Sequence, residues 1–339
     1  MKFNSIKKLL ALTLCVPVIL TGCSQPANNT QEQKPAENQP AAETQQEFKI
    51  GISQIVQHPA LDASKQGFLD ELKNQGIKVV IDDQNAQGDI ANALMIAQKF
   101  VKDDVDLIFT IATPTSQAAK QAIEGTDIPV VFTAVSDPVF SQLVEARDKI
   151  NNITGVDDAA PVKDNLQSFK ELKSDIKTIG IIYNIGETNS EVQVKNAEAA
   201  AKELGLTIET VGITTVNDIP QAVDTISKKA EGLYIITDNM VASSISLVAK
   251  LAEENKLITV SADGSHVDEG IMMSEGISFY DIGRQSALMV KKILVDKVDI
   301  KEIPVESSPN LELRVNTKVA EALGFTKDNK AFEGAEFVE

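Results

Sequence analysis

Residues 48–81 read FKIGISQIVQHPALDASKQGFLDELKNQGIKVVI, and one unit of the fold is legible in them. Residues 48–54 are a short apolar, β-branched run, the pattern of a strand buried on both faces. Residues 60–75 are amphipathic and run into Asn74-Gln75-Gly76, a glycine helix cap. Residues 77–81 are β-branched again. The same alternation continues outward. Strands are expected at 105–111 and 128–134, then at 177–183, 206–213, 232–237, 257–261 and 270–275. Helices are expected at 88–102, 115–124, 162–173, 189–204, 218–229, 240–254 and 281–295. Apolar strands joined by helical crossovers imply parallel sheets covered on both faces. The two blocks, 48–134 and 162–275, are separated by an irregular stretch, 135–161, with Asp137-Pro138, Asn151-Asn152 and Pro161. The expected fold class is therefore α/β, with two Rossmann-like lobes of parallel sheet and a cleft between them.

Composition narrows the function. The 339 residues hold 32 Lys+Arg against 49 Asp+Glu, a formal charge of -17, which argues against a nucleic-acid partner. Two Cys and two His are too few for a zinc cage or an iron–sulfur cluster. At the N-terminus Lys2, Lys7 and Lys8 precede an apolar run, Leu9 to Leu20, followed by Thr21-Gly22-Cys23. This resembles a bacterial lipobox, which implies a signal peptide at 1–22 and a diacylated Cys23 as mature N-terminus. Residues 24–46, SQPANNTQEQKPAENQPAAETQQ, carry no large apolar side chain and are expected to form a disordered tether.

Ligands of open parallel sheets bind beyond the carboxyl ends of strands, so the polar residues there are the candidates. They are Gln54, His58 and Leu61 after the first strand, Thr113, Thr115 and Ser116 after the third, and Ser136 and Asp137 after the fourth. In the second block they are Tyr183, Asn184, Asn189 and Ser190, then Asp238 and Asn239, then Asp263. Each set alone reads equally as a helix cap or turn. Together they offer helix N-termini for a carboxylate and acids for an ammonium, which is complementary to a zwitterion. The carboxylate is expected among Thr113, Thr115, Ser116 and Ser190. The ammonium is expected at Asp238, with Asp137 second. Tyr183, Tyr280 and the loop from Ile55 to Leu61 are expected to line a side-chain pocket. Only three Arg exist (Arg147, Arg284, Arg314) and none ends a strand, so a phosphate or second carboxylate is disfavoured. His58 and His266 are too isolated to suggest a metal. No G-x-S-x-G, H-E-x-x-H, P-loop or dinucleotide motif appears, so neither an enzyme nor a cofactor is expected.

At these strand ends the sequence resembles a known family. The motifs are HPALDASKQGFLDEL (58–72), QNAQGD (84–89), IATPTSQAA (111–119), FTAVSDPV (132–139), NITGV (152–156), IGIIYN (179–184), TDN (237–239) and VNTKVAEALGF (315–325). In this order they look like the substrate-binding lipoproteins of ABC importers, the family with tryptophan- and tyrosine-binding members. The resemblance implies a periplasmic-binding-protein type I fold with a three-segment hinge, placed near 135–158, 275–280 and 303–311. The lobes would be 47–158 plus 278–305 and 159–277 plus 306–330. It also implies an aromatic amino acid as ligand (tyrosine, tryptophan or phenylalanine) and an ABC permease with its ATPase as partner. A monomer anchored to the extracytoplasmic face of the membrane through Cys23 is expected. The alternatives are an adhesin, alone or in addition, and a type I binder of another small polar solute.

Overall fold

In the computed structural model, residues 46–339 apart from Pro309 are described; the expected signal peptide at 1–22, Cys23 and the expected tether up to residue 45 lie outside the described residues. The first sheet is built from β1 (Glu47–Gln54), β2 (Lys78–Asn85), β3 (Leu107–Ile111), β4 (Val130–Val135) and β5 (Ile153–Asp157). The second begins with β6 (Thr178–Asn184), β7 (Thr207–Ile213), β8 (Gly232–Ile235), β9 (Ile258–Asp263) and β10 (Met273–Ile277). Three late strands follow: β11 (Glu306–Ser307), β12 (Leu311–Asn316) and β13 (Glu336–Val338). The first sheet has the order β11-β5-β4-β3-β1-β2 and every pair in it is parallel. The second has the order β13-β12-β10-β9-β8-β6-β7, with β10 and β12 the antiparallel pair.

Helices α1 (Pro59–Asn74), α2 (Ile90–Lys102) and α3 (Thr113–Ala122) serve as crossovers of the first sheet. Around the second lie α4 (Val162–Leu172), α5 (Thr188–Leu204), α6 (Ile219–Ser227), α7 (Asn239–Ala242) and α8 (Ile245–Glu254). The chain then enters α9 (Phe279–Leu294) and finishes with α10 (Thr317–Ala322). Strands β3, β4 and β5 are buried along their whole length, as doubly covered parallel strands must be. Edge strand β2 has no fully buried residue.

The chain passes from one sheet to the other between β5 and α4, between β10 and α9, and between β11 and β12. After the second crossing α9 packs on α1 of the first lobe, in a contact that needs two glycines. A Cβ on Gly67 would stand 2.0 Å from Tyr280 O, and one on Gly283 would stand 1.9 Å from Ser64 O. Below them Phe68 stacks on Phe109, ring centroids 3.7 Å apart, in the core of the first lobe.

Several elements differ from the sequence reading. Strand β5 lies inside the stretch read as irregular, because five residues after Asn151-Asn152 are too few to show a period. The tail adds β11, β12, α10 and β13, so the second sheet continues to Val338. The segment 240–254 is two helices, broken at Ser243-Ser244.

Candidate functional site

The carboxyl ends of the two sheets face each other across a narrow cavity of about 20 Å3 lined from both sides. From the first lobe come His58 and Leu61 at the start of α1, Ala134 and Ser136 at the end of β4, Asp158 after β5, and Phe279 at the start of α9. From the second come Asn189 of α5, Thr237 to Asn239 after β8, Ala242, Asp263 and His266. No lysine or arginine lines the cavity among the described residues. Strand β4 breaks register between Thr133 and Val135. Ala134 in that break has φ 56°, a left-handed backbone uncommon for a non-glycine residue.

His58 is the N-cap residue of α1, with Pro59 behind it, and its side chain makes no capping bond. It is buried, and neither ring nitrogen has a hydrogen-bond partner. Burial pushes its pKa down to about 4, so the ring is neutral at physiological pH. His266 is fully buried and also lowered by burial. Its Nδ1 shares a hydrogen bond of 2.8 Å with Ser261 Oγ. Its Nε2 lies 3.2 Å from Asp263 Oδ2 without the alignment of a hydrogen bond.

Three carboxyl groups meet the cavity, in three different states. Asp238 is the N-cap of α7 and is saturated. Its Oδ2 accepts from Asn184 N at 2.6 Å and Ser190 Oγ at 2.7 Å, and its Oδ1 accepts from Val241 N at 2.9 Å. Burial and the nearby Glu187 nonetheless push its pKa up. Asp263 caps the turn after β9, its Oδ1 accepting from both Ser265 N and Ser265 Oγ at 2.8 Å. Asp158 is 3% exposed, and its Oδ1 has no hydrogen-bond partner. Burial pushes its pKa up to about 7; Asp157 and Asp263 push the same way and Ser136 opposes them.

A polar scaffold surrounds these groups. Glu187 Oε2 accepts from Asn189 Nδ2 at 3.0 Å and from Asn239 Nδ2 at 2.5 Å, while Oε1 accepts from Asn184 Nδ2 at 3.0 Å. Asn189 Nδ2 also reaches Thr237 O at 2.9 Å, which leaves Asn189 Oδ1 buried and unpartnered at the cavity. The lobes touch directly beside it. Ser136 Oγ and Thr237 Oγ1 share a hydrogen bond of 3.1 Å, and Gln193 Nε2 donates to Ser136 Oγ at 3.2 Å.

Of the candidates named from sequence, the structure brings His58, Leu61, Ser136, Asn189, Asp238, Asn239 and Asp263 together at the cavity. The others lie elsewhere. Thr115 Oγ1 donates to Ile111 O and Ala112 O, and Ser116 Oγ to Ala112 O, the local bonds of a first helical turn. Thr113 is buried outside the lining, its hydroxyl without a partner. Gln54 donates to Val56 O and Asp62 Oδ1 beside the β1–α1 loop. Asp137 holds a turn by accepting from Val139 N and Phe140 N. Asn184 and Ser190 serve Asp238 from behind, and Tyr183 packs on the second core. Tyr280 points away and donates to Asp70 Oδ2 at 3.1 Å. Its neighbour Phe279 takes the cavity side.

Asp158, Thr237, His266, Ala134, Ala242 and Phe279 complete the lining and were not among the sequence candidates. Asp158 had a usable signal: with NITGV read as a strand, the strand-end rule selects the residues that follow it. Among the described residues no group of three or more His, Cys, Asp or Glu side chains is arranged to hold a metal ion.

Comparison with known proteins gives a consistent answer. The family model for ABC transporter substrate binding proteins matches residues 49–338. A tyrosine-binding protein of Clostridioides difficile (strain R20291) is 36% identical over 331 residues, 95% of this chain and 93% of that protein. A Streptococcus pneumoniae domain crystallised in complex with L-Trp is 30% identical with a TM-score of 0.82, covering 87% of this chain and 100% of that one. A ligand-free, open substrate binding protein with adhesive properties from Clostridium difficile is 39% identical with a TM-score of 0.66, covering 86% and 99%. The chain thus superposes better on the tryptophan complex than on the open form, although the open form is closer in sequence. These relatives share the type I fold of periplasmic binding proteins. The chain belongs to the family of ABC transporter substrate binding proteins, extracytoplasmic proteins that hold a small molecule for a transporter rather than convert it.

Proposed function

We propose that the cavity between the lobes holds an aromatic amino acid, tyrosine, tryptophan or phenylalanine, for delivery to an ABC permease and its ATPase. The observation that carries this reading is the lining. It combines three carboxyl groups, two neutral histidines and an apolar wall of Leu61, Ala134, Ala242 and Phe279, with no cationic side chain. The acids suit an ammonium group. The first amides of α1 have no helical partner, and with the unpartnered ring of His58 above them they suit a carboxylate. The aromatic ring packs on Leu61 and Phe279. The tyrosine- and tryptophan-binding relatives support the side-chain class.

The remaining parts of the reading come from sequence. Cys23 is the proposed lipid attachment site, and residues 24–46 tether a monomer to the outer face of the membrane. Cys23→Ala is expected to release the protein from the membrane or leave the precursor uncleaved. A mature, membrane-bound variant would remove the anchor from the reading. The ligand class is tested by a thermal-shift panel of the twenty amino acids and common sugars. A ligand at 100 times its Kd adds about 2.7 kcal/mol of stability. One of the three aromatic amino acids is expected to give the largest shift. A panel in which none of them shifts the melt while a sugar or a non-aromatic solute does overturns the reading.

A further inference from the structure

We propose that Asp158 is the carboxylate that receives the ligand's ammonium group, and that it gives up a proton to solvent as the pair forms. This rests on the amino-acid reading above and names the residue that reads the amine. Of the three acids at the cavity, Asp238 is occupied by Asn184, Ser190 and Val241, and Asp263 by Ser265 with His266 alongside. Asp158 alone presents a buried oxygen with no partner. Its backbone N–H donates to Val135 O at 3.2 Å, which fixes it at the end of the first sheet. It also stands where the chain crosses to the second lobe, so a ligand bound to it is held at the hinge itself.

The charged and titratable groups around Asp158 supply no cation. Its neighbour Asp157, the last residue of β5, is engaged with Arg147 and Ser307. From α1 comes His58, from the end of β9 and its turn come Asp263 and His266, and from the N-cap of α7 comes Asp238. Both histidines are kept neutral by burial. A desolvated carboxylate facing only acids and neutral rings retains its proton near neutral pH. When an amino acid enters as a zwitterion, the Asp158 O–H bond breaks, the proton goes to water or buffer, and the carboxylate pairs with the ammonium. One positive charge enters the cavity and one leaves it, so the cavity's net charge is unaltered by the ammonium.

The test is calorimetry on the full chain with L-tyrosine, L-tryptophan and L-phenylalanine. Titrations at pH 6.5 in two buffers of different ionisation enthalpy count the protons released. Wild type is expected to release a measurable fraction of a proton per ligand. Asp158→Asn is expected to release none and to bind thirtyfold or more weakly, the lower bound for losing one partner of a desolvated charge pair. Wild-type affinity is expected to rise from pH 5.5 to 7.5 for the amino acid and not for its deaminated analogue. This arm needs no variant and stands if Asp158→Asn fails to fold. Binding of the variant within threefold of wild type, an unchanged proton count, or a flat wild-type pH profile overturns the proposal. If wild type binds none of the three amino acids, the amino-acid reading fails, and the assignment of Asp158 with it.

Discussion

Ser136 Oγ and Thr237 Oγ1 stand 3.1 Å apart and share a hydrogen bond between the end of β4 in one lobe and the loop after β8 in the other. Gln193 ties the same pair from α5, donating to Ser136 Oγ and Thr237 O and accepting from Thr237 N at 3.0 Å. Ligand-bound type I proteins gain affinity from closure only to the extent that the closed form makes contacts the open form lacks. The Ser136 hydroxyl reaches from the first lobe to Thr237 and Gln193 of the second. Ser136→Ala removes both of its bonds to the second lobe and is expected to weaken binding by about five- to 150-fold, the equivalent of two neutral hydrogen bonds at about 0.5–1.5 kcal/mol each. The ligand-free melting temperature should change little. Calorimetry paired with a thermal melt checks this, and unchanged affinity would show that the bond does not bias closure.

Asp238 supports the second lobe through three hydrogen bonds, all buried or half-buried. Asp238→Ala leaves the amides of Asn184 and Val241 and the hydroxyl of Ser190 without their acceptor. Unsatisfied buried groups cost about 1–3 kcal/mol each, so a loss of about 3 kcal/mol or more in unfolding free energy is expected. Urea unfolding measures it. A loss below about 1 kcal/mol would mean that water or relaxation replaces the carboxylate.

Asp158 and His58 give opposite pH dependences to the stability of the ligand-free protein. The Asp158 carboxyl is raised from 3.8 to about 7, so its contribution is present below pH 4 and lost as pH rises through about 7. His58 is lowered from 6.5 to about 4, so its contribution is present above pH 6.5 and lost as pH falls through about 4. Asp158→Asn removes only the first. The variant should therefore gain stability relative to wild type between pH 5 and pH 8. Melting curves at both pH values test the sign, and an equal difference at each would contradict it.

Phe279 and Tyr280 are adjacent in sequence and opposite in role. Phe279 lines the cavity, while Tyr280 is 38% exposed and bonded to Asp70. Phe279→Leu should weaken binding of an aromatic amino acid by about two- to tenfold, the worth of one aromatic pair. Tyr280→Phe should stay within twofold. The two affinities side by side decide the matter; a larger loss from Tyr280→Phe would place the ring pocket on the other face of α9.

The alternation of strands and helices, the division into two blocks, and the expectation of a site at strand ends are all legible in local pattern. These depend on local periodicity and on which residues start and stop helices, and both are written in neighbouring residues. Strand β5 escaped because it is short and follows two asparagines, and Asp158 escaped with it. Which polar groups at the strand ends are free depends on contacts between residues far apart in the chain. Asp238, Asp263 and Asp158 look alike in sequence, each closing an apolar run. Asp238 is saturated because Asn184 and Ser190, about fifty residues upstream, reach it across β6 and α5. Asp158 is left open because nothing from either lobe donates to its Oδ1. In the same way, the packing of α9 on α1 through Gly67 and Gly283 sets the rotation of α9, and that rotation turns Phe279 inward and Tyr280 out. Hydrogen-bond satisfaction and helix rotation are properties of distant partners, so a one-dimensional pattern can nominate these residues but cannot rank them.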